Sequence, residues 1–274
     1  MTRALPSLLV VLLLALAAPL ARAQTLHISD GRKFSLQEIR VVGDQLRIPI
    51  KTGDAVSGEM GIPVDSVVRL DWPAPDQLTQ AATDLKAGKS AEALKKIDAV
   101  LPAQEVFRDI TGSWWAQGMS LRVEALARLG RDIDAEVGVE RLRRSKFGPP
   151  FVSDGALAIA SALVDAGKNA QARERLKQIV TPNTTDATLA RLALLNGRLL
   201  QSEGKTEPAL LSYLQVTALY PLERDWQPAA LLAAASCLRD MGDTTRATGT
   251  LNSLIQRFPE SPEAAKARTL LSQS

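Results

Sequence analysis

The chain has one cysteine and one histidine in 274 residues. A single cysteine excludes a disulfide framework within the chain. One His and one Cys do not supply the three or four nitrogen and sulfur ligands of an ordinary zinc or iron site. Aromatic residues make up only 4% of the chain. Lys and Arg total 33 against 30 Asp and Glu, and a surplus of three charges is too small to argue for a nucleic-acid partner. There is no phosphate-binding glycine loop, no Gly-x-Ser-x-Gly elbow and no His-Glu-x-x-His. No cofactor, metal or catalytic residue is therefore expected, and the chain reads as a non-enzyme.

What is abundant is alanine, with 40 residues unevenly placed. Between Gln24 and Trp72 there is only Ala55, whereas from Ala81 onward alanines recur every few residues. The shift marks a boundary between two kinds of structure.

The first 23 residues read as an export signal. Arg3 precedes an apolar run from Leu8 to Ala18, and small residues stand at Ala21 and Ala23. This order of charge, apolar core and small residues predicts cleavage after Ala23. The run is shorter than the roughly 20 residues a membrane-spanning helix needs. No later stretch is long and apolar enough to span, so an exported, periplasmic chain with no stable membrane span is expected. Removing residues 1–23 takes away Arg3 and Arg22 and no acid, which lowers the net charge from +3 to +1.

Residues 24–72 are rich in Val and Ile, which favours strands. Thr25–Ile28, Lys33–Leu36, Glu38–Val42, Gln45–Ile50, Val56–Ile62 and Ser66–Leu70 are the candidate segments. Gly43-Asp44 is a two-residue hairpin signal between two of them. About five short strands are expected, in a small antiparallel, barrel-like module similar to the SH3-like or Sm-like barrels. His27 lies in the first strand, where a surface or edge position is expected. Pro73 and Pro75 make residues 73–76 a stiff linker.

From residue 77 to 274 the chain repeats itself. Gly88, Gly130, Gly167, Gly204 and Gly242 recur at spacings of 42, 37, 37 and 38. Each is followed five residues later by an alanine: Ala93, Ala135, Ala172, Ala209 and Ala247. The glycine is expected to end a helix A, because it adopts the left-handed cap conformation without a Cβ penalty. The alanine is expected early in a helix B, where helix A crosses closely. Four residues further on lie Ile97, Val139, Leu176, Tyr213 and Leu251, and three beyond these Val100, Leu142, Ile179, Val216 and Leu254. That spacing forms one helix face. Prolines 102, 149, 182, 221 and 259 are expected to stop the B helices.

This pattern resembles the tetratricopeptide repeat. Gly197, Ala209, Tyr213 and Pro221 fit its eighth, twentieth, twenty-fourth and thirty-second positions, and Ala235, Ala247, Leu251 and Pro259 fit them again one unit on. The earlier units depart from it; Val123 stands where a small residue is usual. The fold expected is mainly α: about five helical-hairpin repeats after the β module, closed by a capping helix from Pro262 to about Leu271. The terminal stretch Leu254–Ala267 is similar to repeats of exported bacterial envelope proteins, namely the periplasmic coordinator of the Tol-Pal system and the repeat-bearing outer-membrane assembly lipoprotein.

The resemblance implies a concave groove lined by the A helices. Carried over position by position, it offers Gln117, Ser120, Glu124 and Arg128 in the second unit. In the later units it offers Asp165, Arg191, Leu194, Arg198, Gln201, Leu232, Arg239 and Asp240. Arg191 and Arg198 share a helix face, and with Arg239 they could meet a carboxylate or an acidic peptide, since the guanidinium fork binds carboxylates in two-pronged fashion. The plainer reading is a solvated face with local ion pairs. The function expected is a protein–protein interaction scaffold in a bacterial envelope, assisting assembly, transport or a Tol/Ton-type machine. The alternative is an enzyme or receptor for cell-wall material, with Trp72, Trp114 and Trp115 lining a cleft between the β module and the first repeat. Cys237, in an apolar helix, is expected to be buried and inert.

Overall fold

The computed structural model describes residues 24–35, 39–52, 55–177, 179 and 184–273. The export signal at 1–23, Leu36 and Glu38 of two expected strands, and Pro182 lie outside the described residues. The chain divides into two compact units between Pro73 and Ala74.

Among its described residues the N-terminal unit holds six strands rather than five: β1 (Thr25–Ile28), β2 (Lys33–Ser35), β3 (Arg40–Val42), β4 (Gln45–Thr52), β5 (Ala55–Pro63) and β6 (Val67–Asp71). They form two antiparallel three-stranded sheets, in the orders β2-β1-β6 and β3-β4-β5. A 3-10 turn at Val64–Ser66 carries the chain from one sheet to the other. In β1, Leu26 and Ile28 are buried while Thr25 and His27 face the other way. That is the period of two that a half-buried strand imposes. Leu26 stands opposite Phe34 on one side and Leu70 on the other. The β3–β4 hairpin turns at Gly43-Asp44, with Gly43 at φ 62°. His27 is not on an edge strand, because β1 is the middle strand of its sheet. Its Nε2 lies 2.7 Å from the Asp71 carboxylate, which Arg69 also binds at 2.6 Å. The guanidinium first, and the imidazole second, hold the Asp71 carboxyl below its usual range.

The second unit is built from eleven helices among the described residues. Five antiparallel pairs follow one another: α1 (Asp76–Lys86) with α2 (Ser90–Gln104), α3 (Trp115–Arg128) with α4 (Asp132–Arg144), α5 (Pro149–Asp165) with α6 (Asn169–Lys177), α7 (Asp186–Ser202) with α8 (Thr206–Leu219), and α9 (Gln227–Asp240) with α10 (Thr244–Arg257). Helix α11 (Pro262–Ser272) closes the array, with the Ser261 hydroxyl accepting from the Ala264 N–H and Pro262 in the first turn.

The turn within each pair is built the same way five times. Gly88, Gly130, Gly167, Gly204 and Gly242 have φ between 71° and 80°. The residue after each glycine donates its N–H back to a carbonyl in the last turn of the first helix: Lys89 to Asp84, Arg131 to Leu126, Lys168 to Leu163, Lys205 to Leu200 and Asp243 to Leu238, at 2.8–2.9 Å. This is the Schellman closure, which satisfies carbonyls a helix end leaves unpaired. The alanine five residues after each glycine closes the first turn of the second helix and is 0–1% exposed. The apolar residues four positions on are buried in every pair.

The prolines do not all act as expected. Pro221 and Pro259 follow α8 and α10, but Pro102 lies inside α2. It sits in the last turn, where its missing N–H removes one helical bond before the chain passes into a 3-10 turn at Glu105–Phe107. Pro149 opens α5 instead of ending α4, in the first-turn position where proline needs no N–H.

Consecutive first helices α1, α3, α5, α7, α9 and α11 touch one another directly, while each second helix packs between its own partner and the next first helix. The first helices therefore form the inner layer of the stack. One large apolar core runs from Leu78 to Leu199, and smaller ones hold α8–α11.

Candidate functional site

The inner layer carries a cavity of about 530 Å³. Its floor comes from three successive first helices. Gln117, Ser120, Leu121 and Glu124 project from α3 at the spacing of one helix face. Phe151 and Asp154 come from α5, and Ala187 and Arg191 from α7. The fourth wall is the connection between α8 and α9, Leu222–Trp226. Asp225 of that connection reaches Lys86 at the end of α1, 3.7 Å away. Arg224 stacks on Phe258 and Arg191 on Trp226, at 5.3 and 5.4 Å from the ring centres.

Asp154 is the chemically unusual member. Burial among the three helices holds its carboxyl above the usual aspartate range; Arg191 partly offsets this and Glu124 reinforces it. Four carboxylates (Glu124, Asp154, Glu223, Asp225) and two guanidinium groups (Arg191, Arg224) line the cavity. Of these, Glu124 is engaged by Arg128 four residues on, in a pair of 2.5 Å.

The residues singled out from sequence fall into different settings. Gln117, Ser120, Glu124 and Arg191 meet in this cavity. Arg128 lies outside it and also donates to the Leu85 carbonyl at the end of α1. Arg198 is taken up by Asp165 and by the Ser161 hydroxyl at 3.1 Å. Gln201 accepts the Tyr213 hydroxyl at 2.8 Å, and burial pushes the phenol up from its ordinary value. Leu194 packs between α7 and its neighbours. Arg239 and Leu232 line a separate cavity at α9–α11, and Asp240 is exposed beside it. Arg191, Arg198 and Arg239 thus do not share one cavity.

Trp115 does not line a cleft. It is fully buried, and its indole N–H donates to Glu105 at 2.6 Å while Arg141 lies over the ring. Trp114 packs against the same core. Cys237 is fully buried, and burial first, then Asp240, pushes its thiol up. Asp154, Phe151 and Trp226 were not legible as site residues. Asp154 carried one signal: in α5 it and Asp165 are the only charged residues of seventeen.

The last helical pair has a sequence counterpart among known families. Residues 229–261 match the tetratricopeptide repeat. The match runs from the first turn of α9 through α10 to the cap of α11. The matched segment contains the Gly242 turn and the Ala247 contact that recur in the four preceding pairs. Similar solved structures include TTC0263, a thermophilic TPR protein of Thermus thermophilus, at 17% identity and a TM-score of 0.48, covering 72% of this chain and 97% of that one. MamA AMB-1 is 21% identical with a TM-score of 0.35, covering 69% and 94%. MamA MSR-1 is 20% identical with a TM-score of 0.34, covering 72% and 95%. No curated protein sequence matches the chain.

Proposed function

We propose that this chain is an exported protein–protein interaction scaffold of a bacterial cell envelope, holding a partner segment on the inner face of its helical array. The observation that carries the reading is the inner-face cavity, where three first helices and the α8–α9 connection converge on a half-buried carboxyl. Stacked helical hairpins present such faces to extended or helical segments. Glu124 and Asp225 already hold Arg128 and Lys86, whereas Asp154 forms no ion pair among the described residues, so the segment is one that places a basic side chain near Asp154, with Phe151 and Trp226 as apolar and aromatic walls. The charge, apolar run and small residues of positions 1–23 support export. The likeness of Leu254–Ala267 to the Tol-Pal coordinator and to the assembly lipoprotein supports an envelope machine as the setting.

Photo-crosslinking in intact cells, with the reactive group at Gln117, tests the reading. Discrete partner adducts in the envelope fraction are expected, and Asp154→Arg should abolish them while a probe at Leu219 on α8 gives none. Adducts that persist in Asp154→Arg, or a chain retained in the cytoplasm, would overturn it.

A further inference from the structure

A second cavity, of about 440 Å³, lies where α9, α10 and the closing helix α11 meet. Its floor is apolar: Leu232 and Ala235 from α9, Leu251 from α10 and Leu270 from α11. Two cations stand at its rim, Arg239 from α9 and Lys266 from α11. Both are exposed, and neither forms an ion pair among the described residues. No carboxylate lines this cavity. Several other helix cations do hold acids, among them Arg128, Arg143, Arg144, Arg198 and Arg246. A guanidinium and an ammonium converging from two helices over an apolar floor suit a carboxylate joined to an aliphatic group. The guanidinium supplies a planar fork and the ammonium a compact charge.

We propose that this cavity is a second subsite, which takes a peptide segment whose aliphatic side chain enters among Leu232, Leu251 and Leu270 while an adjacent Asp or Glu meets Arg239 and Lys266. The proposal deepens the interaction reading above and rests on it for the partner being a peptide. The two cavities then ask for opposite charge: a basic residue at α3–α7 and an acidic, aliphatic one at α9–α11. A partner carrying both is accepted in one orientation only, because the reversed segment places like charges together.

The test uses the full chain without residues 1–23 and a synthetic peptide blocked at both ends, with a central Leu-Glu-Glu, followed by calorimetry and backbone NMR. Resonances of α9 and α11 should shift on titration, and affinity should fall with added salt. Arg239→Glu and Lys266→Glu should each weaken binding by about tenfold or more, and Arg239→Lys by less. Both side chains are exposed, so an unchanged unfolding midpoint separates lost contacts from lost fold. The same peptide with Lys in place of Glu should not bind. Binding indifferent to both charge reversals, or binding of octanoate without binding of the peptide, would overturn the proposal. If it fails while the crosslinks at Gln117 stand, the interaction reading survives and only this subsite is lost.

Discussion

Gly197 on α7 and Tyr213 on α8 occupy one space between them: a Cβ on the glycine would lie 2.4 Å from the Tyr213 ring. The ring cannot withdraw, since it is fully buried and its hydroxyl is held by Gln201. Gly197→Ala should therefore cost about 1–3 kcal/mol by overpacking. Urea unfolding measures this, and adding Tyr213→Leu should recover part of the loss. A double variant no more stable than Gly197→Ala would sink the explanation.

In the second pair the large and small partners are exchanged. Val123 fills the place on α3 where a small residue was expected, and Gly138 on α4 makes room for it, with 2.5 Å between a virtual Cβ and the valine methyl. Gly155 on α5 leaves space on the other side of the same valine, at 3.3 Å. Gly138→Ala should destabilise by about 1–3 kcal/mol, and Val123→Ala added to it should be less harmful than Val123→Ala alone. Denaturant midpoints of the four proteins in the cycle decide this, and simple additivity would count against it.

Asp154 makes stability depend on pH in a defined sense. Its folded carboxyl holds the proton more tightly than the unfolded chain does. The associated stability is fully present below the ordinary aspartate value of 3.8 and is lost as pH rises through the folded value. Asp154→Asn remains neutral throughout. Its stability relative to the parent should increase as pH is raised from 3.8. Unfolding curves across the acidic range check the sign, and a difference that is flat or shrinks with pH would contradict the burial of the carboxyl.

The Asp243 side chain caps α10 by accepting from the Arg246 N–H at 2.9 Å. That bond, with the Arg246 guanidinium, holds its carboxyl below the usual range. Asp243→Ala should lower stability, while Asp243→Asn should keep most of it. Thermal midpoints of the two variants compare them directly.

The repeat was legible because its constraints are local and recur. A left-handed turn after a helix selects glycine, and a close helix crossing selects alanine, so both leave marks at fixed spacing whatever lies around them. The buried Ile97, Val139, Leu176, Tyr213 and Leu251 follow from the same spacing. The inner cavity was legible only in part, through Gln117, Ser120, Glu124 and Arg191. Its charge is set by residues from α3, α5 and α7 together with a connection more than thirty positions further on, and no spacing rule links Asp154 to Trp226. The setting of Arg198 was hidden for a related reason. Its position on the helix face was readable, but its capture by Asp165 depends on how α5 and α7 align. Pro149 was misread because proline marks the start of a helix as well as its end, and Pro102 because the last turn of α2 accommodates it before the helix stops.

The separation of the apolar cores has a kinetic meaning. Among the described residues, those of α1–α7 share one continuous core, whereas α8–α11 rest on small separate ones. Each small core can open without breaching the large one, so unfolding should begin at the C-terminal end and move inward. Amide exchange in α9–α11 would then run orders of magnitude ahead of that in α3–α5. The end of the array that holds the Arg239 and Lys266 cavity would be the part whose lifetime a bound ligand prolongs.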